Sequence, residues 1–270
     1  AAAGRAPIRI EPAAAESGVA CLVEGTCDAL LLPRASAEGE RRLVQHRRSM
    51  ELVETPFAVG AVAVIVHKDN PIRSLTLEQV GAVFQTRVNR WSELDVIITA
   101  PVQESVCVIC QSLAARGQRA LLAEDHTHAI ARTLQRIIPS EDSGAPAVLR
   151  QLATRGDRLG NLLTTVGDSF EVRRRVADDP LAIGLVVWGA VESEGVRVVP
   201  IRANADSPAL EPTEATVRDR SYPLAHFLYF CTAGEPEGTM STLRAFAIAP
   251  HGDLKPSPLA GTFPITASKP

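Results

Sequence analysis

The sequence predicts an α/β protein with mainly parallel sheets. Apolar runs of strand length recur at CDALLLP (27–33), FAVGAVAVIVHKDNP (57–71) and LAIGLVVWGAV (181–191), and segments with helical spacing stand between them. Strands and helices alternate along the chain without an internal repeat, the pattern of helices packed on a sheet. At 270 residues the chain can form one large domain or two of ordinary size.

In order, PIRIEP (7–12) alternates like a strand, ESGVACLVEG (16–25) fits a short helix, and CDALLLP reads as a buried parallel strand, giving a β-α-β opening. FAVGAVAVIVHKDNP is a longer strand halted at Asp69-Asn70-Pro71, where proline fixes a turn. Thr76 and Gln79 then form a capping box ahead of Leu77, Val80, Val83 and Phe84 at helical spacing. VCVIC (106–110) predicts a buried strand, SLAARGQRALLAE (112–124) a helix, and IARTLQRII (130–138) runs into a helix that opens at the Ser-Gly step of SEDSGAPAVLRQL (140–152). SFEVRRRVADDP (169–180) predicts an amphipathic helix and turn before the strand at 181–191. SYPLAHFLYFCT (221–232) is a further strand, and MSTLRAFAIA (240–249) a last helix before a Pro- and Gly-rich tail.

Composition narrows the function. The 28 Lys+Arg against 31 Asp+Glu give a net charge of -3, so no nucleic-acid partner is expected. A hydrophobic content of 46% with 22% charged residues excludes disorder throughout. No run of 18 apolar residues and no basic-then-apolar leader stands in the sequence, a pattern the mature form of a secreted protein shares. Five cysteines, Cys21, Cys27, Cys107, Cys110 and Cys231, are too few for a disulfide scaffold.

VAVIVHKDNPIRSLTLEQVGAVFQTRVNRWSEL, VADDPLAIGLVVWGAV, SYPLAHFLYFCT and the tail LRAFAIAPHGDLKPSPLAGTFPI occur in the order seen in phosphate-specific periplasmic binding proteins, the solute receptors of ABC transporters. The chain resembles that family nearly end to end, with a poor match around 96–135. The resemblance implies a two-lobed periplasmic-binding-protein-like fold of type II, with lobe I from 1–68 plus 196–270, lobe II from 69–195, and crossing strands as a hinge. The ligand is then expected in the cleft between lobes.

The resemblance also implies how the site works. The family grips its anion with amides at helix starts, hydroxyls, an arginine ahead of a Ser-Gly-Thr step and an acid on the first-lobe strand loop. Ser143 and Gly144 match that step, but Ala145 replaces the threonine and Pro139 stands where the arginine would; Arg136 is the nearest substitute in sequence. In the first lobe Ser17 and Gly18 match a helix start, Pro33 takes the acidic position, and Arg34 is the cationic candidate. The family's opening strand and first helix have no counterpart before Ala1 in this sequence, so a wall of the pocket is expected to be absent or supplied by another segment. A helix-end dipole is worth about 0.3–1 kcal/mol per exposed anion, whereas a charged hydrogen bond from arginine contributes roughly 1.5–3 kcal/mol. The expected function is an extracytoplasmic, periplasmic receptor holding phosphate or a related anion weakly through Ser17, Gly18, Arg34, Ser143 and Gly144, and working with a membrane permease. The alternative is a structural or protein-interaction subunit that binds no solute. Glu141 and Asp142, directly before the helix start, are read as partners of its dipole.

Other constellations read as structural. Cys107 and Cys110 with His126 and His128 have zinc-ligand types, but residues three apart on a strand face opposite sides. Cys21 and Cys27 could pair in an oxidising compartment or serve as core thiols. Asp28 reads as a turn partner, and Arg173, Arg174 and Arg175 as a solvated helix face. Trp91 and Trp188 match core positions of the family. No nucleophile elbow surrounds Ser143 and no motif surrounds His226, so neither an enzyme nor a cofactor is expected.

Overall fold

A computed structural model of the protein describes residues 8–70, 72–94, 134–191, 194–249 and 262–264. The elements expected at 106–110 and 112–124, and the cysteines and histidines Cys107, Cys110, His126 and His128, lie outside these residues.

The elements follow in the order α1 (Ala15–Glu24), β1 (Leu30–Leu32), α2 (Glu38–Arg48), β2 (Leu52–His67), β3 (Leu75–Thr76) and α3 (Leu77–Phe84). After them come β4 (Gln135–Pro139), α4 (Ala145–Ala153), β5 (Thr164–Val166), α5 (Ser169–Asp178), β6 (Ala182–Val187), β7 (Val196–Val198) and β8 (Ile201–Arg202). The last of the described elements are α6 (Glu214–Arg218), β9 (Ala225–Ala233), α7 (Gly238–Ile248) and β10 (Thr262–Pro264).

The 16-residue strand β2 organises the molecule. Its first half pairs antiparallel with β9, from Leu52↔Ala233 to Ala61↔Ala225, and with β10. Its second half leaves that ladder and pairs with β6 from Val62↔Val187 onward, and with β7. One strand thus serves two sheets, and Val62, Ala63, Val64, Ile65 and Val66 at the hand-over are at most 1% exposed. Burying each such valine or isoleucine contributes roughly 1.5–3 kcal/mol, so the hand-over is a main source of apolar stabilisation. The first sheet carries β1, β9, the start of β2 and β10; the second carries the end of β2, β6, β4 and β5, with β7 on its flank, and β2 makes the two continuous.

Local chemistry explains the helices near the crossing. Thr76 Oγ1 accepts from Gln79 N–H at 3.1 Å and Gln79 Oε1 accepts from Thr76 N–H at 2.8 Å, the expected capping box, and Val80, Val83 and Phe84 are fully buried. Asp168 caps α5 by accepting from Glu171 N–H at 2.8 Å. Arg174 and Arg175 both pair with Glu171 on its solvated face. Trp91 is buried and its indole N–H donates to Leu181 O at 3.2 Å.

Two sequence expectations need correction. β1 is not parallel and is buried only at its end: it is an edge strand antiparallel to β9, with Leu31 53% exposed and Leu32 1% exposed. An unbroken apolar run fixes strand length but carries no sign of direction. Among the described residues antiparallel pairings also outnumber parallel ones, because β2 and β9 run against their neighbours. Residues 8–12 form no strand; Ile8 and Ile10 are exposed, and among the described residues no strand pairs with them.

The crossing also makes stability depend on pH. His226 stands opposite Gly60 beside the hand-over, and burial pushes its imidazole down to about 4 from 6.5, only partly offset by Leu224 O. The unfolded chain therefore takes up the proton first as pH falls. Stability from the neutral ring is complete above about pH 6.5 and is lost as pH drops towards 4. Urea unfolding at pH 7.5 and 4.5 should differ by roughly 2 kcal/mol more for the native chain than for a His226→Leu variant, partial exposure of the residue trimming the full linkage value.

Candidate functional site

α1 rests on β1 of the first sheet, and α4 rests on β6 and β4 of the second, yet their N-terminal ends meet. Ala15 of α1, Leu32 of β1, Ala147 of α4 and Cys231 of β9 form one buried apolar cluster. Burial pushes the Cys231 thiol up to about 12, with Glu54 and Glu40 adding to the shift. The two helix starts therefore share one apolar cluster.

Each predicted residue lies at or beside this junction. Ser17 is exposed on the first turn of α1, whose N-cap, Ala14, has no side-chain oxygen to offer. Gly18 is buried, and its N–H is spent on Ala14 O at 2.9 Å. A side chain there would start 2.3 Å from Leu30 Cδ1, so glycine serves the close approach of helix to strand rather than a ligand.

On the facing side, Ser143 ends a 3-10 turn at Glu141–Ser143 and Gly144 takes the left-handed φ of 76° that starts α4. Ser143 Oγ donates to Ser140 O at 2.7 Å and accepts from Ala145 N–H at 3.3 Å. The N–H groups of Ser143 and Gly144 bond within the turn, to Ser140 O and Glu141 O. Pro146, in the first turn, has no N–H to give. A Cβ on Gly144 would stand 2.8 Å from Pro33 Cγ, so the ring of Pro33 presses against the helix start that an anion would occupy.

Both cations of the junction hold carboxylates. Arg34 grips Glu40 with both prongs, Nη1 to Oε2 at 2.8 Å and Nη2 to Oε1 at 2.6 Å, and both side chains are largely buried. The bond from Glu40 holds the Arg34 guanidinium above its ordinary pKa. Burial works against the Glu40 carboxylate, but hydrogen bonds from Arg34 and from Ala37 N–H override it and keep it below the usual carboxylate range. Arg150 of α4 forks onto Glu141 at 2.7 and 2.8 Å and reaches Glu16 of α1 at 3.3 Å. Glu141 chiefly raises its pKa, Glu16 adds to that and Arg34 opposes it, so the two arginines feel each other across the junction.

Sequence reasoning missed Glu40, Arg150 and the role of Pro33. Glu40 carried one signal, an acid in the first turn of a helix, which often reaches back to the N-cap amide. Arg150 carried none, because Glu141 and Glu16 are its partners only through the fold. Arg136, the nearest substitute for the missing family arginine, faces away from the junction. It is 2% exposed and donates to Val83 O at 2.6 Å, Leu134 O at 3.1 Å, Asn89 Oδ1 at 3.2 Å and Val88 O. Cys21 and Cys27 are both free thiols, and burial, with Cys21 and Asp28 nearby, raises the pKa of Cys27. Among the described residues no group of three or more His, Cys, Asp and Glu is placed to hold a metal ion, and no helix is long and apolar enough to cross a membrane.

The profile of the PBP superfamily domain, the periplasmic-binding-protein superfamily, matches residues 3–248. The chain belongs to the PBP superfamily. Among curated relatives of this PBP chain, the phosphate-binding protein PstS of Pseudomonas aeruginosa is 24% identical over 239 residues, 88% of this chain and 67% of that protein. Among solved structures, an ABC-type phosphate transport receptor from Vibrio cholerae aligns with a TM-score of 0.60 at 15% identity, covering 87% of this chain and 79% of that one. PstS from Borrelia burgdorferi aligns with a TM-score of 0.53 at 15% identity, covering 88% and 79%. At these identities the structures establish the fold alone, a two-lobed α/β arrangement, and in this chain β2 is the strand that pairs into both sheets. This PBP domain differs from the expected pocket in one respect that matters: its helix starts touch protein where a solute was expected.

Proposed function

We propose that the protein is an extracytoplasmic solute-binding protein that carries phosphate or a related oxyanion to an ABC-transporter permease, through a site weakened relative to a charge-clamped one. One observation carries this reading: the starts of α1 and α4, built on different sheets, converge at a single junction with Arg34 and Arg150 beside them. The anion would enter as α1 and α4 separate, meeting Ser17, Arg34 and the Ser143-Gly144 turn, with Gly18 shaping the wall. The lobes divide at 68 and 196 in this reading, with the end of β2 and β7 pairing into the sheet of the second lobe. Likeness to phosphate-binding relatives supports the ligand class, and the order of motifs supports the partner.

The weakness has a physical cause. An incoming dianion must displace Glu40 from Arg34 or Glu16 from Arg150, and must push the Pro33 ring off Gly144. Replacing a carboxylate partner by another anion returns little net energy, because the arginine's charged bonds are already made. Titration with phosphate should therefore give a dissociation constant of about 1 mM, and 20 mM phosphate should stabilise the fold by roughly 1.8 kcal/mol, a rise in Tm of several degrees. Sulfate at the same ionic strength separates oxyanion binding from salt effects.

A second reading, a binding-protein fold kept as an interaction subunit without solute, is favoured by the apolar cluster of Ala15, Leu32, Ala147 and Cys231 that fills the junction. No shift in Tm with phosphate, sulfate or related oxyanions would reject the receptor and leave this one.

A further inference from the structure

We propose that Arg150 is a latch that holds the two sheets' helices together in the absence of solute, with Glu16 as the releasable partner and Glu141 as the group that aims the guanidinium. This rests on the reading above that the lobes part to admit an anion. The geometry is a three-residue ion cluster bridging elements far apart in sequence. Glu141 takes both prongs of Arg150 at 2.7 and 2.8 Å from the turn that precedes α4, which fixes the fork in place. Glu16 then receives a single bond at 3.3 Å from Nη2, across the junction. Glu16 is the most exposed of the three at 63%, against 20% for Arg150, so water and dissolved anions reach the cross-junction bond first. The cluster caps an apolar floor, Ala15 with Ala147, that aligns the helix starts but offers no charge selectivity. Arg34 lies within electrostatic reach but is bound to Glu40, leaving Arg150 as the cation whose partner lies across the junction.

In this arrangement an arriving anion opens the latch by taking over the Glu16 bond, and Glu16 sets its affinity from outside the anion's own contacts. Hydrogen exchange in phosphate-free buffer tests this at two amides whose bonds are known, Gly18 N–H to Ala14 O and Val148 N–H to Gly144 O. In Glu16→Gln both amides should exchange about three- to fivefold faster than in the native chain, the range an exposed ion pair controls, and phosphate should bind more tightly by a similar factor. Glu16→Asp, which keeps the charge on a shorter arm, should fall between. Glu16, the position changed, is exposed, so folding is preserved; urea unfolding confirms it. Unchanged exchange in Glu16→Gln would overturn the latch, whether or not phosphate binds. Faster exchange with no phosphate binding at 20 mM to either protein would keep the latch and reject the receptor reading.

Discussion

Arg136→Leu should destabilise the fold by roughly 3–5 kcal/mol, the scale expected from leaving several buried acceptors without donors. The guanidinium serves Val83 O in the last turn of α3, Val88 O just beyond it, Leu134 O and the Asn89 side chain. Leucine would leave these buried acceptors without donors, each at about 1–3 kcal/mol, and nothing of leucine's shape fills the fork. Arg136→Lys keeps the charge but has no planar fork, so it should recover only part of the loss. Denaturant unfolding with and without phosphate checks the assignment. The loss should be the same in both, since Arg136 faces α3 and not the junction. A variant that kept its stability but lost phosphate affinity would return Arg136 to the ligand site.

Gly144→Val should cost roughly 3 kcal/mol, from two sources that can be separated. A φ of 76° penalises any L side chain by about 1–2 kcal/mol, more so a β-branched one. The rest comes from the Pro33 ring, 2.8 Å from where Cβ would stand. Asparagine tolerates left-handed backbone, so Gly144→Asn should retain mainly the steric part and cost roughly half as much. Equilibrium unfolding of the two variants gives both numbers. Equal costs would mean that the backbone penalty is negligible and contact with Pro33 dominates.

Local rules were legible where chemistry and outcome lie within a few residues. Thr76 with Gln79, the apolar run of β2, and the helix-turn-strand from Ser169 to Val187 all form where their patterns place them. Strand direction was not legible, because Leu30–Leu32 would look the same in either orientation and only its pairing with β9 decides. PIRIEP alternates properly, but alternation makes a strand only beside a neighbour. At the site, the positions Ser17, Gly18, Arg34, Ser143 and Gly144 were legible and their availability was not. Arg34 looks like a free cation in sequence; Glu40, six residues on and folded back as the helix α2 begins, neutralises it. Gly144 looks like an open helix start until Pro33, more than a hundred residues earlier, is placed against it. Long-range contacts decide both, and no spacing rule reports them.

That the junction is shut by the protein's own side chains is tested most directly by a double-mutant cycle in ligand-free buffer with Pro33→Ala, Gly144→Ala and the pair. Trimming the Pro33 ring should relieve much of the Gly144→Ala penalty, giving a coupling of roughly 1 kcal/mol between residues on opposite sides of the junction. Additivity within about 0.3 kcal/mol would mean the two never touch in solution, and would contradict the closed junction.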